Sequence, residues 1–350
     1  MLTSEQIIEI REHLETAQNP IFFFDNDPDG LCSFLILQRF IERGKGIPIK
    51  SFPKLIDDYF RKVVEFNADY IFILDKAEVS DKFWEKVKEV NIPVVWIDHH
   101  AFKFEDIPDF VNYYNSFDAK NNDSAGEPVT SLCYKATQKK DDVWFGVAGC
   151  IADKFVPEFY NDFMKKYSDL GIKSNDAFEI FYKSEIGKIA KFFTFGLKDR
   201  TTNVINMLKF LMSVHSPYEV LSEGSKNSAM HKRFREIDEK YQRLIERAKE
   251  IGNYDGKLLY FQYGGDLSIS SDLSNEISFL FPDKIIVIAY VSGYKANISG
   301  RGKNIRKIIL EIIGGLEGAT GGGHQDAVGA QVQIEDLEFF KKELKEKVGD

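Results

Sequence analysis

The sequence predicts an α/β protein with two domains, on three observations. The chain has 350 residues, which is enough for two hydrophobic cores. Short apolar runs alternate with helix-like stretches from Ile21 to about Asp153, a pattern typical of a parallel sheet flanked by helices. A second alternation follows Gly256. We therefore expect an N-terminal domain over residues 1–225, a linker helix over 226–255, and a smaller C-terminal α/β domain with a mixed sheet over 256–350.

The elements of the first domain each have a local signature. Thr3 and Gln6, placed before an apolar run, predict a capped amphipathic helix. Residues 21–24, 71–74 and 94–97 are continuously apolar, as buried parallel strands are. Helices are predicted over 31–42 and over 81–90. Residues 156–221, rich in Phe, Tyr and Lys, predict helices throughout.

The C-terminal part of the chain predicts a connecting helix and a second sheet. Residues 231–251 show apolar positions at helical spacing among many charges, which indicates an amphipathic helix. Strands are predicted at 257–263, 284–291, 296–299 and 327–334, with helices at 271–281 and 304–313. A glycine-rich loop that ends at His324 is expected before the last strand.

Composition favours an intracellular enzyme over a duplex-binding or membrane protein. The net charge of −9 opposes broad binding to duplex phosphates. Cys32, Cys133 and Cys150 lack metal-binding spacing and are expected to be reduced core thiols. No apolar run reaches the ~20 residues that a membrane span requires, and the N-terminal segment does not resemble a signal peptide. We expect a cytoplasmic protein without a membrane partner.

Acids and histidines follow the predicted strands of the first domain. Because the carboxyl ends of parallel strands meet at one edge of a sheet, these side chains are expected to lie together. Crowded carboxylates are costly unless a cation lies between them. Carboxylate oxygens with imidazole nitrogens suit manganese or magnesium, and there are enough acids for two ions. The residues are Asp25, Asp27, Asp29, Asp75, Asp98, His99 and His100, with Asp153 after a later helical stretch.

Each of these features also has an ordinary structural interpretation. An isolated Asp-x-Asp is more often a solvated turn than a site. Tandem histidines can cap a strand or lie half-buried, and three consecutive glycines can form a flexible loop. The joint occurrence at three strand ends favours a site.

The order of these residues resembles the DHH phosphoesterases, a superfamily that includes RecJ-type exonucleases, nano-RNases, cyclic-dinucleotide phosphodiesterases and manganese pyrophosphatases. The N-terminal similarity consists of the sequence Asp27-Pro28-Asp29-Gly30, then Asp75, the tripeptide Asp98-His99-His100, and Asp153. Near the C-terminus, Ile298-Ser299-Gly300-Arg301 and Gly321-Gly322-Gly323-His324 resemble the DHH-associated domain. The resemblance covers nearly the whole chain.

The resemblance implies a role for each of these residues. The implied metal ligands are Asp27, Asp29, Asp75 as the bridge, His99 and Asp153. Many members have a histidine before the paired aspartates, where this chain has Phe23 and Asp25, and we expect Asp25 to take that ligand role. Asp98, His99 and His100 would be catalytic. The implied substrate-binding residues are Ser299, Arg301, Gly321, Gly322, Gly323 and His324. The first amides of the helix predicted over 31–42, at Gly30 to Ser33, are expected to face a metal-bound phosphate.

The implied function is a manganese-dependent phosphodiesterase or exonuclease. It would hydrolyse short RNA or single-stranded DNA to mononucleotides by catalysis with two Mn²⁺ ions, or with Mg²⁺ as the alternative metal. One alternative is a phosphoesterase acting on cyclic dinucleotides or small nucleotides. Another is a RecJ-like scaffold that binds replication factors in the replisome. A homodimer is also consistent with the sequence, which leaves cleavage polarity and the choice between RNA and DNA open.

Overall fold

The computed structural model describes residues 1–51, 53–101, 107–117, 126–252 and 256–349. It contains two compact units, Met1–Phe234 and Arg235–Asp350. The division falls inside the helix Ser228–Gly252, which contains the predicted amphipathic stretch. The predicted limits at residues 225 and 256 stay predictions, and residues 253–255 of the expected linker lie outside the described residues.

The first unit begins with a helix and alternates strands with helices before a run of helices. Its strands are β1 (Pro20–Asp25), β2 (Lys45–Ile49), β3 (Lys54–Leu55), β4 (Tyr70–Leu74), β5 (Glu78–Val79), β6 (Val94–Asp98) and β7 (Val111–Asn115). Its helices are α1 (Ser4–Thr16), α2 (Pro28–Ile41), α3 (Arg61–Glu65), α4 (Asp81–Val90), α5 (Val129–Thr137), α6 (Val143–Ala152), α7 (Tyr160–Lys166), α8 (Ala177–Lys183), α9 (Glu185–Leu197), α10 (Thr201–Ser213) and α11 (Pro217–Leu221). Helix α12 (Ser228–Gly252) follows.

The main sheet of this unit is parallel and covered on both faces. Five strands pair in the order β2-β1-β4-β6-β7 with parallel registers throughout. Alternate residues of β1 enter opposite cores, because Phe22 packs in the cluster formed with α2, α5 and α6, while Phe23 packs in the cluster formed with α4. This confirms the predicted parallel sheet flanked by helices.

The predicted strands and helices around the strand ends are present, with differences at their limits. The three apolar runs form β1, β4 and β6, and the helix predicted over 81–90 is α4. Helix α2 begins earlier than predicted, at Pro28, because Asp27 is its N-cap and proline suits the first helical turn. The cysteines Cys32, Cys133 and Cys150 are buried and free, as predicted.

The second unit has a mixed five-stranded sheet. Its strands are β8 (Leu258–Gly264), β9 (Ile285–Ser292), β10 (Lys295–Arg301), β11 (Thr320–His324) and β12 (Ala327–Gln333), and its helices beyond α12 are α13 (Ser270–Leu280), α14 (Ile305–Ile313) and α15 (Leu337–Val348). The order is β11-β12-β10-β9-β8, in which only the described β8–β9 pair is parallel. The predicted smaller α/β domain with a mixed sheet is confirmed.

The glycine cluster corrects one prediction. Gly321 to His324 do not form a loop before the last strand but lie in β11, an edge strand paired antiparallel with β12. The pairing to β12 imposes the extended conformation that the glycines themselves do not favour. Gly321 has a packing reason as well, because a Cβ there would lie 2.7 Å from Ile313 Cδ1 of α14.

Within the described residues, no helix combines the length and the apolar character that crossing a membrane requires.

Candidate metal centre

Acidic and histidine side chains from three elements of the first unit come together at the carboxyl edge of the parallel sheet. His99 Nε2 lies 3.2 Å from Asp75 Oδ1, and His99 Nδ1 lies 3.6 Å from Asp153 Oδ2. His100 Nδ1 lies 3.9 Å from Asp75 Oδ1. Asp75 follows β4, the histidines follow β6, and Asp153 caps the C-terminus of α6. The predicted convergence of strand ends is therefore present.

Two groups of side chains have the geometry to share a metal ion. One consists of Asp75, His99 and His100, and the other of Asp29, His99 and Asp153; in each group the ligand atoms lie within 4.8 Å of one another. Four of the implied ligands thus belong to these groups, and His100 joins them. Asp25 and Asp27 lie outside both groups.

Two buried carboxylate oxygens test whether this arrangement suits a metal. Asp75 Oδ1 and Asp153 Oδ2 are buried and have no hydrogen-bond partner among the described residues. A buried carboxylate oxygen without a partner carries a large desolvation cost, which a cation can offset. The side chain of Asp153 is 38% exposed although its Oδ2 is buried, so this residue also borders solvent. The residues present fit Mn²⁺ or Mg²⁺, since oxygen donors with imidazole nitrogens suit these ions.

The pKa values of the acids show how crowded the cluster is. Burial, together with the charges of Asp27 and Asp29, raises the pKa of Asp75 well above its usual range. Burial of its carboxylate raises the pKa of Asp153 to about 6, even though His99 opposes the shift. Desolvation and the charges of Asp25 and Asp29 raise the pKa of Asp27 to about 7, an effect that solvent partly screens because Asp27 is an exposed residue. All three pKa values are raised, and a bound cation would lower them by favouring the ionised carboxylates.

The backbone at Asp75 is unusual. Asp75 has φ of 57°, in the left-handed region, directly after β4. Its amide donates to the carbonyl of Ile97 at 2.9 Å, which holds the turn against β6. Aspartate tolerates this conformation better than most residues. Non-glycine residues held there are found at functional sites, where the surrounding structure compensates for the strain.

Asp98 orients His100. Asp98 is fully buried, and its Oδ1 lies 2.7 Å from His100 Nδ1. Asn115 Nδ2 donates to Asp98 Oδ2 at 3.4 Å and to the carbonyl of His100 at 3.0 Å. Burial lowers the pKa of His100, but the hydrogen bond and charge of Asp98 and the charge of Asp75 outweigh it and raise the pKa to about 9. His100 is therefore a cation at neutral pH in the metal-free protein.

Asp29 and Asp27 also accept hydrogen bonds from backbone amides at the N-termini of helices. The buried carboxylate of Asp29 accepts from the amides of Val129 and Thr130, at 3.0 and 2.8 Å, at the N-terminus of α5. Asp27 caps α2, where its Oδ1 accepts from the Gly30 amide at 2.9 Å and its carbonyl accepts from the Leu31 amide at 3.0 Å. The prediction that the first amides of α2 face a bound phosphate is therefore wrong for Gly30 and Leu31.

Asp25 lies beside a lysine that the sequence did not single out. Lys76 Nζ lies 3.0 Å from Asp25 Oδ1, and the Lys76 side chain is 2% exposed. An isolated lysine after Asp75 gives no sign of burial. Asn115 was also missed; a polar residue at a strand end could have indicated it, but β7 itself was not predicted.

The predicted substrate-binding residues lie in the second unit, where the strand registers bring several of them to one face. Ser299 pairs with Gly329, which pairs with Gly322; Arg301 pairs with Ala327, which pairs with His324. Directly opposed residues in a sheet project to the same face, and so do residues two apart along a strand. Ser299, Arg301, Gly322 and His324 therefore share a face.

This face is open over its glycines and bordered by α13. A Cβ added to Gly322 or Gly329 would meet nothing within 4 Å. Arg301 Nε donates to Asn275 Oδ1 of α13 at 2.7 Å, and the Ser299 and Ser274 hydroxyls are 2.9 Å apart. Gly321 and Gly300 instead abut isoleucines of α14 on the opposite face. The glycines thus serve two purposes, packing on one face and open space on the other.

Comparison with protein families identifies both parts of the chain. The model of the DHH family, N-terminal domain, matches residues 21–152, and the model of the DHHA1 domain matches residues 255–350. The chain belongs to the DHH family of phosphoesterases and carries a C-terminal DHHA1 domain. No curated protein matches the sequence.

Solved structures share the fold at low sequence identity. RecJ from Thermus thermophilus, in complex with Mn²⁺, gives a TM-score of 0.65 at 14% identity over 99% of this chain and 54% of that chain. This chain thus spans about half the length of that RecJ. A structure of exonuclease RecJ bound to manganese gives 0.65 at 15% identity, covering 99% of this chain and 95% of that one. CDC45 from Entamoeba histolytica gives 0.52 at 10% identity, covering 99% and 98%.

Proposed function

We propose that this protein is a metal-dependent phosphodiesterase that hydrolyses short single-stranded RNA or DNA and releases mononucleotides. The observation that carries the proposal is the pair of buried oxygens that accept no hydrogen bond from the described residues, Asp75 Oδ1 and Asp153 Oδ2, on either side of His99. Such an arrangement is costly in a protein that binds no cation. The membership of the DHH family and the fold shared with manganese-bound RecJ support the same proposal.

In this proposal the centre holds two ions, with Mn²⁺ preferred over Mg²⁺. The ligands are drawn from Asp27, Asp29, Asp75, His99, His100 and Asp153. When bound, the metal supplies Lewis-acid polarisation of the phosphodiester and activation of water for in-line attack. The number of acids at the sheet edge supports two ions, since one ion needs fewer carboxylates.

His100 adds a protein-derived charge to the centre. Its side chain is 32% exposed, so one edge of the ring borders solvent while Asp98 fixes the other. A pKa of about 9 keeps the ring protonated at neutral pH before metal binds. Because Asp98 occupies Nδ1, Nε2 either binds metal in the neutral ring or, when protonated, donates a hydrogen bond to a phosphate oxygen. Asp98 then acts by holding the ring, and not by touching the phosphate.

The second unit contributes the nucleotide-binding face in this proposal. The open glycines Gly322 and Gly329 allow a phosphate or base to approach the backbone closely. Arg301 and His324, on the same face, supply donors to an anionic group. A small face of this kind suits a terminal nucleotide, and the net charge of −9 also favours short substrates over long duplexes.

The test is digestion of end-labelled single-stranded RNA and DNA of two to ten nucleotides, with Mn²⁺, with Mg²⁺ or with EDTA. The variant Asp75→Asn removes the buried carboxylate, and Asp109→Asn, at an exposed position of the same unit, is the matched control. We expect stepwise release of mononucleotides that requires metal, is lost in Asp75→Asn and is kept in Asp109→Asn.

Other outcomes would redirect the assignment. Hydrolysis of cyclic dinucleotides or small nucleotides, with oligonucleotides left intact, would change the proposed substrate class. The proposed metal centre would still stand. A wild-type protein that binds no Mn²⁺ would overturn the proposal and favour a scaffold for replication factors.

A further inference from the structure

Lys76 is a buried cation inside an acidic cluster. The residue is 1% exposed, and its ammonium nitrogen lies 3.0 Å from Asp25 Oδ1 and donates to the Ser51 carbonyl at 2.8 Å. A lysine ammonium removed from water is strongly destabilising unless an anion and hydrogen-bond acceptors compensate for it. Asp25 and Ser51 supply both.

The position of Lys76 is fixed by its neighbours. Its carbonyl accepts from Trp96 Nε1 at 2.8 Å, a bond between buried groups of β6 and the turn after β4. The preceding residue, Asp75, has the left-handed φ of 57° and is tied to Ile97 by its amide. These contacts hold two consecutive buried side chains, one acidic and one basic, at the end of β4. Lys76 is therefore an ordered part of the centre and not a mobile surface residue.

Asp25 is oriented toward this lysine. Its Oδ1 also accepts from the Asn26 amide at 2.9 Å, so the same oxygen has two donors. Neither of the two groups with metal-sharing geometry among the described residues includes Asp25. By contrast, Asp75 and Asp153 each have a buried oxygen, next to His99, that accepts no hydrogen bond within the described ranges. Asp25 is thus compensated by a lysine of the protein, whereas the buried oxygens of Asp75 and Asp153 remain available to a metal cation.

We propose that Asp25 is the counter-ion of Lys76 and not a ligand of the metal centre, and that Lys76 is a positioning residue which neutralises one carboxylate of the cluster permanently. This inference rests on the proposed metal-dependent function. It replaces the expectation that Asp25 takes the ligand role of the histidine found in many family members. The ligands are then drawn from the remaining acids and the two histidines.

The inference is tested with four variants, Asp25→Asn, Lys76→Met, the double variant Asp25→Asn with Lys76→Met, and Asp75→Asn as the ligand control. Mn²⁺ stoichiometry and Kd are measured by titration calorimetry, and urea unfolding is measured in EDTA. We expect Asp25→Asn to keep the wild-type stoichiometry and to weaken Mn²⁺ binding about tenfold, because the Lys76 ammonium is then uncompensated beside the centre, while Asp75→Asn loses binding.

Lys76→Met distinguishes positioning from a merely structural role. It leaves the Asp25 carboxylate uncompensated beside the centre, and we expect Mn²⁺ to bind about tenfold more tightly for that reason. The double variant should return to the wild-type Kd. In EDTA, each single variant should reduce the ratio of folded to unfolded protein by about 100-fold, and the double variant should recover most of that loss, because it removes both charges of the pair.

Three results would overturn the inference. They are loss of one Mn²⁺ equivalent in Asp25→Asn, unchanged or weaker binding in Lys76→Met, and a double variant no more stable than either single variant. If a single variant fails to fold, metal binding by the neutral double variant tests the inference instead. If Asp25 were a ligand, the double variant would also lose bound metal, because it lacks the Asp25 carboxylate. Absence of Mn²⁺ binding by the wild type would instead overturn the proposed function, while the coupling measured in EDTA would still test the ion pair.

Discussion

His100 Nδ1 lies 2.7 Å from Asp98 Oδ1, although the two side chains belong to one tripeptide at the end of β6. Asp98 closes β6 as its last buried residue, and the chain then turns so that the ring of His100 folds back over the carboxylate. The bond assigns a proton to Nδ1 and leaves Nε2 for a metal or a substrate oxygen. Asn115 holds the other carboxylate oxygen, so the orientation is fixed from both sides.

Substituting Asp98 by Asn should weaken metal binding without unfolding the protein. The amide keeps the volume of the carboxylate, but it removes the charge that holds His100 as a donor from Nδ1. Loss of such a supporting group typically costs 10- to 100-fold in metal affinity or activity. We expect a loss in that range for Mn²⁺ affinity by calorimetry and for kcat/KM on a short oligonucleotide. Asn115→Ala should show a smaller loss, and an Asp98→Asn variant with wild-type affinity would contradict this role.

The sequence could predict the acidic edge because it depends on local pattern. Apolar runs of four residues mark β1, β4 and β6, and the polar residue after each run must lie at the same sheet edge. Asp75 and His99 were found in this way. Lys76 could not be, since lysine is normally exposed and its burial depends on Asp25 and Ser51, which are distant in sequence.

The remaining differences also come from tertiary context. Strand β7 has a mostly half-buried pattern and does not show a continuous apolar run. Strand β11 consists largely of glycine, which has little intrinsic preference for a strand, and its pairing with β12 determines its conformation. The shared face of Arg301 and His324 depends on this register, and the spacing of the two residues along the chain does not reveal it.

Replacing Asp75 by Asn should have opposite effects on metal binding and on stability. Asparagine matches aspartate in shape and, like it, tolerates the left-handed φ, whereas alanine would add backbone strain. Removing a buried carboxyl group whose ionisation the neighbouring acids oppose should stabilise the metal-free protein by about 1–2 kcal/mol. Loss of a ligand should abolish the stabilisation by Mn²⁺.

Urea unfolding of wild type and Asp75→Asn, each in EDTA and in Mn²⁺, measures both effects. We expect the variant to be the more stable protein in EDTA and the less stable one in Mn²⁺. A variant that is destabilised in both conditions would contradict the inference that burial and the neighbouring acids make this carboxyl group costly in the metal-free protein.

The metal-free protein should lose stability as pH rises from 6 to 9. The pKa of Asp75 is raised in the folded state, so the folded protein holds a proton that the unfolded chain has already released, and stability falls with increasing pH. The pKa of His100 is also raised, to about 9, so its contribution is complete below about 6.5 and is lost as pH passes through 9. Both groups therefore act in the same direction, and the shift of His100 alone corresponds to about 3 kcal/mol.

Mn²⁺ should reverse this trend, because its ligands must be deprotonated to bind. Urea midpoints at pH 6, 7.5 and 9, in EDTA and in Mn²⁺, should diverge as pH increases. Asp75→Asn should show a flatter profile in EDTA than the wild type. Stability that increases with pH in EDTA over this range would contradict the shifts.

Substitutions at two neighbouring glycines of β11 should distinguish an effect on stability from an effect on substrate binding in the second unit. A Cβ at Gly321 would lie 2.7 Å from Ile313 Cδ1 and 3.0 Å from Ala330 Cβ, so Gly321→Ala must displace packed side chains. Overpacking of this kind typically costs about 1–3 kcal/mol. A Cβ at Gly322 would meet nothing within 4 Å, and Gly322→Ala should leave the free energy of unfolding unchanged within about 0.5 kcal/mol.

Gly322→Ala, which should not affect stability, is expected to impair substrate binding at the open face. If Gly322 lacks a side chain so that a nucleotide can approach the backbone, the added methyl group of Gly322→Ala should raise KM for a short oligonucleotide about tenfold. Metal binding, which depends on residues of the first unit, should remain at the wild-type value. Urea unfolding, Mn²⁺ titration and steady-state kinetics on the same two variants separate these effects. A stable Gly322→Ala protein with unchanged KM would show that the open face over Gly322 and Gly329 does not contact the substrate, and the nucleotide site would then have to lie elsewhere.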